Sequence, residues 1–153
     1  MGKVKQEGDV VDLILQQHTQ IRQLFSQAEQ AEGKKLAKIF SELALLLEVH
    51  EEAEEKVVHP VAKAIASDVA EARVREENEA KKVLKRLKDM GPDADGFGEL
   101  FQQLKEAVDA HATHEERDEF PRLREQCDES ELRDMAEKFA QFQALKGGQR
   151  RPM

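Results

Sequence analysis

The chain has 153 residues and a mass of 17.4 kDa, which suits one domain with a single substantial core. Charged residues make up 37% and apolar ones 39%, with 4 prolines, 8 glycines and no Trp or Tyr, a balance that favours long amphipathic helices over a sheet. The formal net charge of −8 leaves no broad basic surface for phosphate backbones, which argues against nucleic acid and anionic membrane as partners.

Residues 1–8 lack the apolar stretch of a signal peptide and are expected to be a flexible N-terminus. No run approaches the roughly 18 apolar residues of a membrane span, so a cytoplasmic location is expected. Apolar residues then recur at helical spacing in four long segments. The first, about residues 9–32, carries Val11, Ile14, Leu15, His18, Ile21, Leu24 and Phe25 on one side and stops at Gly33. His18 is in register with Ile14, Ile21 and Phe25, away from the polar face of Gln16, Gln17 and Gln20. The second, about residues 34–65, carries Leu36, Phe40, Leu43, Leu47, His50, Glu54, Val57 and Val61, and Pro60 predicts a kink or break near its end.

The third segment, about residues 68–90, presents Glu77, Ala80, Val83, Leu84 and Leu87 and ends in the loop GPDADG. The fourth, about residues 97–120, presents Leu100, Phe101, Leu104, Val108, His111 and Glu115 before Pro121. Cys127, the only cysteine, permits neither an internal disulfide nor a thiolate cluster and is read as a bystander. A short packing helix follows over about residues 129–145, with Leu132, Met135, Phe139 and Phe142 at helical spacing, and then a disordered tail over 146–153. The fold class expected is all-α: an antiparallel up-and-down four-helix bundle over residues 9–145 with a short fifth C-terminal helix.

One phrase occurs twice. His50 opens HEEAEEKVVHP and His111 opens HATHEERDEFP, and both read H-x3-E-E-x4-P. Residues four apart share a helix face, so His50 pairs with Glu54 and His111 with Glu115. Both pairs lie in line with apolar stripes, where an unpaired charge would cost several kcal/mol and a cation would offset the cost. Counted from His18, apolar residues follow at +3, +6, +7 and +10, and the third segment repeats that ladder when counted from Glu77. The chain therefore reads as a doubled helical hairpin in which Glu77 is the counterpart of His18.

His18, His50-x3-Glu54 and His111-x3-Glu115, with their E-E-x4-P endings, resemble the hemerythrin-like, or HHE cation-binding, family over about residues 9–125. That resemblance implies a four-helix bundle around an oxo- or hydroxo-bridged centre of two iron ions, with manganese the less favoured metal. It further implies that Glu54 and Glu115 bridge and that His18, His50 and His111 are terminal ligands. The oxygen-carrying members have two histidines in the third helix, one turn apart; here those positions are Arg73 and Glu77. The expected metal set is therefore His18, His50, Glu54, Glu77, His111 and Glu115, a carboxylate-enriched site that points away from a simple oxygen carrier.

Asn78 is about 100° around the helix from Glu77 and is not expected to be a ligand. Glu51 and Glu76 are read either as further ligands or as solvated helix edges, and His59 and His114 as surface residues or groups outside the ligand set. The expected activity is reaction with peroxide, oxygen or nitric oxide, by a monomer or weak homodimer. The alternative is a non-catalytic module that stores, carries or senses oxygen or iron. A metal-free interaction module is disfavoured, because burying three His and three Glu without a cation needs an unusually complete hydrogen-bond network.

Overall fold

The computed structural model describes the backbone of residues 8–150 and the side chains of residues 8–145; the expected N-terminal segment 1–7 and residues 151–153 lie outside it. Helix α1 (Val10–Glu29) starts where the Asp9 carboxylate accepts from the Asp12 N–H at 3.1 Å and Asp12 returns the bond to the Asp9 N–H at 3.2 Å. This reciprocal pair satisfies amides that have no partner inside the helix. Helix α2 (Gly33–Ala53) runs into a π turn (Glu54–Val58) and on into α3 (His59–Ile65). After Ala66 comes α4 (Ser67–Met90), closed by Gly91 at φ +83°, a positive φ that glycine adopts freely. Helix α5 (Phe97–His114) passes through a second π turn (Glu115–Glu119) into α6 (Phe120–Gln126), and α7 (Glu129–Arg150) ends the described chain.

Of the kink or break expected at Pro60, the break does not occur: the irregularity there is a π turn. The helix widens by one residue just before it, so that the His59 N–H donates to the carbonyl of Glu54, five residues back, and Pro60 falls in the first turn of α3. A proline has no N–H to donate and its ring crowds the preceding turn, and a widened turn accommodates both. The second π turn repeats this: the Phe120 N–H donates to Glu115, Pro121 follows, and the helix expected to end near residue 120 continues to Gln126.

The apolar residues form two clusters at opposite ends of the bundle. Phe25, Phe40, Leu43, Leu87, Phe101 and Leu104 belong to one, and Val10, Ile14, Ala62, Phe120, Leu123 and Phe139 to the other. The first cluster takes the C-terminal halves of α1 and α4 and the N-terminal halves of α2 and α5, as an antiparallel up-and-down order requires. Burying each large apolar side chain contributes about 1.5–3 kcal/mol, and the layer between the clusters is polar.

The fifth helix is not short. It has 22 residues, packs against α1 and α2, and places Leu132, Met135, Ala136 and Phe139 in the second cluster. Helix α7 runs to Arg150, past residue 146 where the tail was expected to begin, since the two glycines at 147 and 148 weaken a helix without ending it. No helix among the described residues is long and apolar enough to cross a membrane.

Candidate metal centre

The polar layer gathers all six residues singled out in the sequence. His18 comes from α1, His50 from α2, Glu54 and Glu115 from the first residues of the two π turns, Glu77 from α4 and His111 from α5. Ligand atoms of His18, His50, Glu54 and Glu115 lie within 4.8 Å of one another, and so do those of Glu54, His59, Glu77 and Glu115. Two donor groups therefore share Glu54 and Glu115.

The atoms divide cleanly between the groups. Glu115 turns Oε1 to His18 Nε2 at 3.2 Å and Oε2 to His111 Nε2 at 3.3 Å. Glu54 turns Oε2 to His50 Nε2 at 3.1 Å and Oε1 toward His111 Nε2 at 3.9 Å. Glu77 Oε2 stands 3.1 Å from His59 Nε2 and 3.6 Å from His111 Nε2. Each shared carboxylate thus turns one oxygen toward His111 and the other toward His18 or His50.

Glu54, Glu77 and Glu115 are each 1% exposed or less, yet neither oxygen of any of them is hydrogen-bonded. Their imidazole neighbours are close, but not at the angles of hydrogen bonds. Buried carboxylates in that state are costly unless a cation is present, so the donor set fits a metal. It contains only imidazole and carboxylate groups, since Cys127 lies in the apolar cluster at one end.

The outward ring nitrogens are held as metal-binding histidines hold theirs. His18 Nδ1 meets Glu116 Oε2 at 2.8 Å, His111 Nδ1 meets Glu76 Oε1 at 3.1 Å, and His50 Nδ1 meets Gln17 Oε1 at 2.7 Å. Each acceptor favours a protonated Nδ1, which in a neutral imidazole leaves the Nε2 lone pair facing the layer. Glu116 is steadied in turn by Arg22 at 3.2 Å, and Glu76 by Arg73 at 2.8 Å and His114 at 2.6 Å.

Without a metal, protons balance these charges. Burial drives His59 toward its neutral form, but Glu77, Glu54 and Glu119 outweigh it and hold the imidazole at about 9. His18 and His111 move the same way, burial being overcome chiefly by Glu115. Burial pushes Glu115 up, yet His111 and His18 hold it well below the usual carboxylate range. Glu119 goes the other way: burial, then repulsion from Glu115 and Glu54, raise it to about 8.

Several expectations need correcting. His59 is not a surface residue; it is buried against Glu77 and belongs to the second donor group. At ordinary helical spacing a residue five past Glu54 points about 140° away from it, and the π turn brings it back onto the same side. Glu119, buried with both oxygens unpartnered, was hidden in the charge run EERDE for the same reason. Gln17 is not on a solvated face, because α7 covers it. Glu76 orients His111 and Asn78 is exposed, while Glu51 is buried beside the layer with Oε1 unpartnered.

A cavity of about 140 Å³ opens against His18, His50 and His111. Its other walls are mostly apolar, including Ile21, Phe25, Leu47, Ala80 and Val108, with Arg22 and Lys105 toward the outside. Glu51, Glu106 and Asp109 also line it, and it is large enough for a diatomic or triatomic molecule.

The chain is 27% identical over 154 residues to a DNA nickase from Nostoc sp.; that match covers 97% of this chain and 44% of the nickase, so the chain spans less than half the length of that relative. A crystal structure of a hemerythrin HHE cation-binding domain-containing protein from Mycobacterium kansasii superposes with a TM-score of 0.84, at 23% identity, over 94% of this chain and 90% of that one. It has the same fold. The profile of the hemerythrin HHE cation-binding domain matches residues 9–123, three quarters of the chain and the whole of the polar layer, and the chain belongs to that family.

Proposed function

We propose that the chain binds two iron ions in the polar layer and that the loaded protein removes peroxide, oxygen or nitric oxide. The observation that carries this reading is the set of buried Glu54, Glu77 and Glu115 carboxylates whose oxygens have no hydrogen-bond donors and face imidazole nitrogens. Three buried carboxylates carry a charge of −3, more than one divalent cation compensates. Bound iron supplies Lewis acidity and one-electron redox change to a small molecule.

The protein's own part is positioning and proton supply. His18 and His50 hold one half of the centre, His111, His59 and Glu77 the other, and Glu54 and Glu115 fix the distance between them. The cavity beside the three histidines is large enough to admit a small molecule. Glu119, buried beside Glu115 and Glu54 and held at about 8 in the metal-free protein, is placed to hold a proton of the kind that reduction of peroxide to water consumes. The carboxylate at position 77 adds negative charge and favours the more oxidised metal.

The test is metal content and an ultraviolet spectrum of the purified protein, followed by mixing the reduced, iron-loaded form with peroxide, oxygen and nitric oxide in turn. Two irons per chain and rapid consumption of at least one oxidant are expected. Loaded protein that is inert to all three refutes the scavenging reading, and manganese in place of iron refutes the metal.

A second reading, a sensing or carrying module, is favoured by one observation: the matching region is under half of the Nostoc relative, as for a domain joined to another activity. A reversible oxygen adduct of the reduced protein supports carriage, and irreversible oxidation counts against it.

A further inference from the structure

His18 and His111 are oriented by carboxylates from the bundle itself, Glu116 and Glu76. His50 is oriented by an amide. Gln17 Oε1 accepts from His50 Nδ1 at 2.7 Å, while Gln17 Nε2 donates to Gln143 Oε1 at 2.6 Å and Gln143 Nε2 returns a bond to Gln17 Oε1 at 2.9 Å. Gln143 belongs to α7, outside the four-helix bundle. The same helix sets Phe139, fully buried, edge-on to the His50 ring at 5.9 Å and 73°.

A carboxylate at position 17 would only accept hydrogen bonds, whereas an amide accepts on one side and donates on the other, and so passes orientation along. With Nε2 of His50 on a metal, its proton is confined to Nδ1. That proton requires the oxygen of Gln17 to face His50, which turns the Gln17 amide nitrogen toward α7 and selects the Gln143 conformer that accepts from it.

We propose that Gln17 and Gln143 are positioning residues that couple the metal in the His18 and His50 half to the docking of α7. Loading that half fastens the C-terminal part of α7, and loosening α7 frees that metal. The proposal rests on the metal reading of the layer.

The experiment compares hydrogen exchange and metal loss to a chelator for the full-length, metal-loaded wild-type, Gln143→Leu and Gln143→Glu proteins, with metal-stripped wild type as reference. Stripping should speed exchange in α7 around residues 139–145 by about tenfold or more. Gln143→Leu should release one of its two metals about 10- to 100-fold faster, the range found for losing an outer hydrogen bond to a metal-bound histidine, and keep the other at the wild-type rate. Gln143→Glu keeps an acceptor for Gln17 and should restore most of the lost retention. General loosening of the fold would release both metals together and would not be rescued by Glu. Two bound metals with α7 exchange unchanged by stripping, or with both metals lost equally fast from Gln143→Leu, overturn the coupling alone. A wild-type protein that binds no metal overturns the reading of the layer and the coupling with it.

Discussion

The two halves of the polar layer share Glu54 and Glu115 and otherwise differ in construction. The His18 and His50 half is placed by regular helix geometry, and its ring nitrogens have acceptors on their outer side. His59 joins Glu77 and His111 in the other half because a π turn brings it round to Glu54, and neither carboxylate oxygen of Glu119 beside it has a hydrogen-bond partner. One half is a rigid imidazole cradle and the other a more anionic, proton-rich pocket. Two cations in such surroundings would not be equivalent, and asymmetry of that kind lets one position hold a metal firmly while the other meets a reactant.

The largest effect should come from abolishing what the halves share. Glu115→Ala should bind neither metal and melt about 20 °C below the loaded wild type, since each of two metals at about a thousand times its Kd adds about 4 kcal/mol and each kcal/mol is worth about 2–4 °C at this size. Elemental analysis and calorimetry check it; one tightly held metal would mean the halves are independent. Smaller effects should separate the halves. His50→Ala and His59→Ala should each leave about one metal per chain, and if His59→Ala still binds two with unchanged affinity, His59 has no place in the second group.

The metal-free protein sharpens the contrast through pH. Glu119, held at about 8, and His59, held at about 9, retain protons in the folded protein that the unfolded chain has released. The folded state therefore binds more protons between about pH 4.5 and 9, and its stability must fall as pH rises through that window, by about 1.4 kcal/mol per pH unit for each proton in excess. Denaturant titrations of stripped protein at pH 6 and 9 should show the loss. Loaded protein, whose imidazoles have already given up their protons, should be flat or show the opposite trend.

The smallest effect lies outside the layer. Asp9 caps α1 and accepts from Arg124 of α6 at 3.0 Å, and although burial opposes it, these bonds lower its pKa. Asp9→Ala should cost about 1 kcal/mol without changing metal content. A carboxyl whose folded pKa is lowered stabilises above its unfolded value of 3.8 and ceases to as pH falls through the folded one, so the difference between variant and wild type should vanish in strong acid.

The helices and the six converging side chains were legible because their signals are local: apolar stripes, and histidine and glutamate four apart on one face. His59 and Glu119 were not, because reading them requires knowing that the helix changes pitch after Glu54 and Glu115. The sign of that change was present in Pro60 and Pro121, which follow the two glutamates at the same distance. Gln17 was misread for a different reason, since its burial depends on α7, which joins it from more than a hundred residues away.

Each π turn is a single surplus residue in an otherwise regular helix, and that makes the centre sensitive to length as well as to side-chain identity. Deleting one residue between Glu54 and His59 would leave His50 and Glu54 in place and remove no donor, yet rotate everything beyond by about 100° and turn His59 away. The chain holds its second half in a count of residues, which substitution scans that preserve length would never disturb.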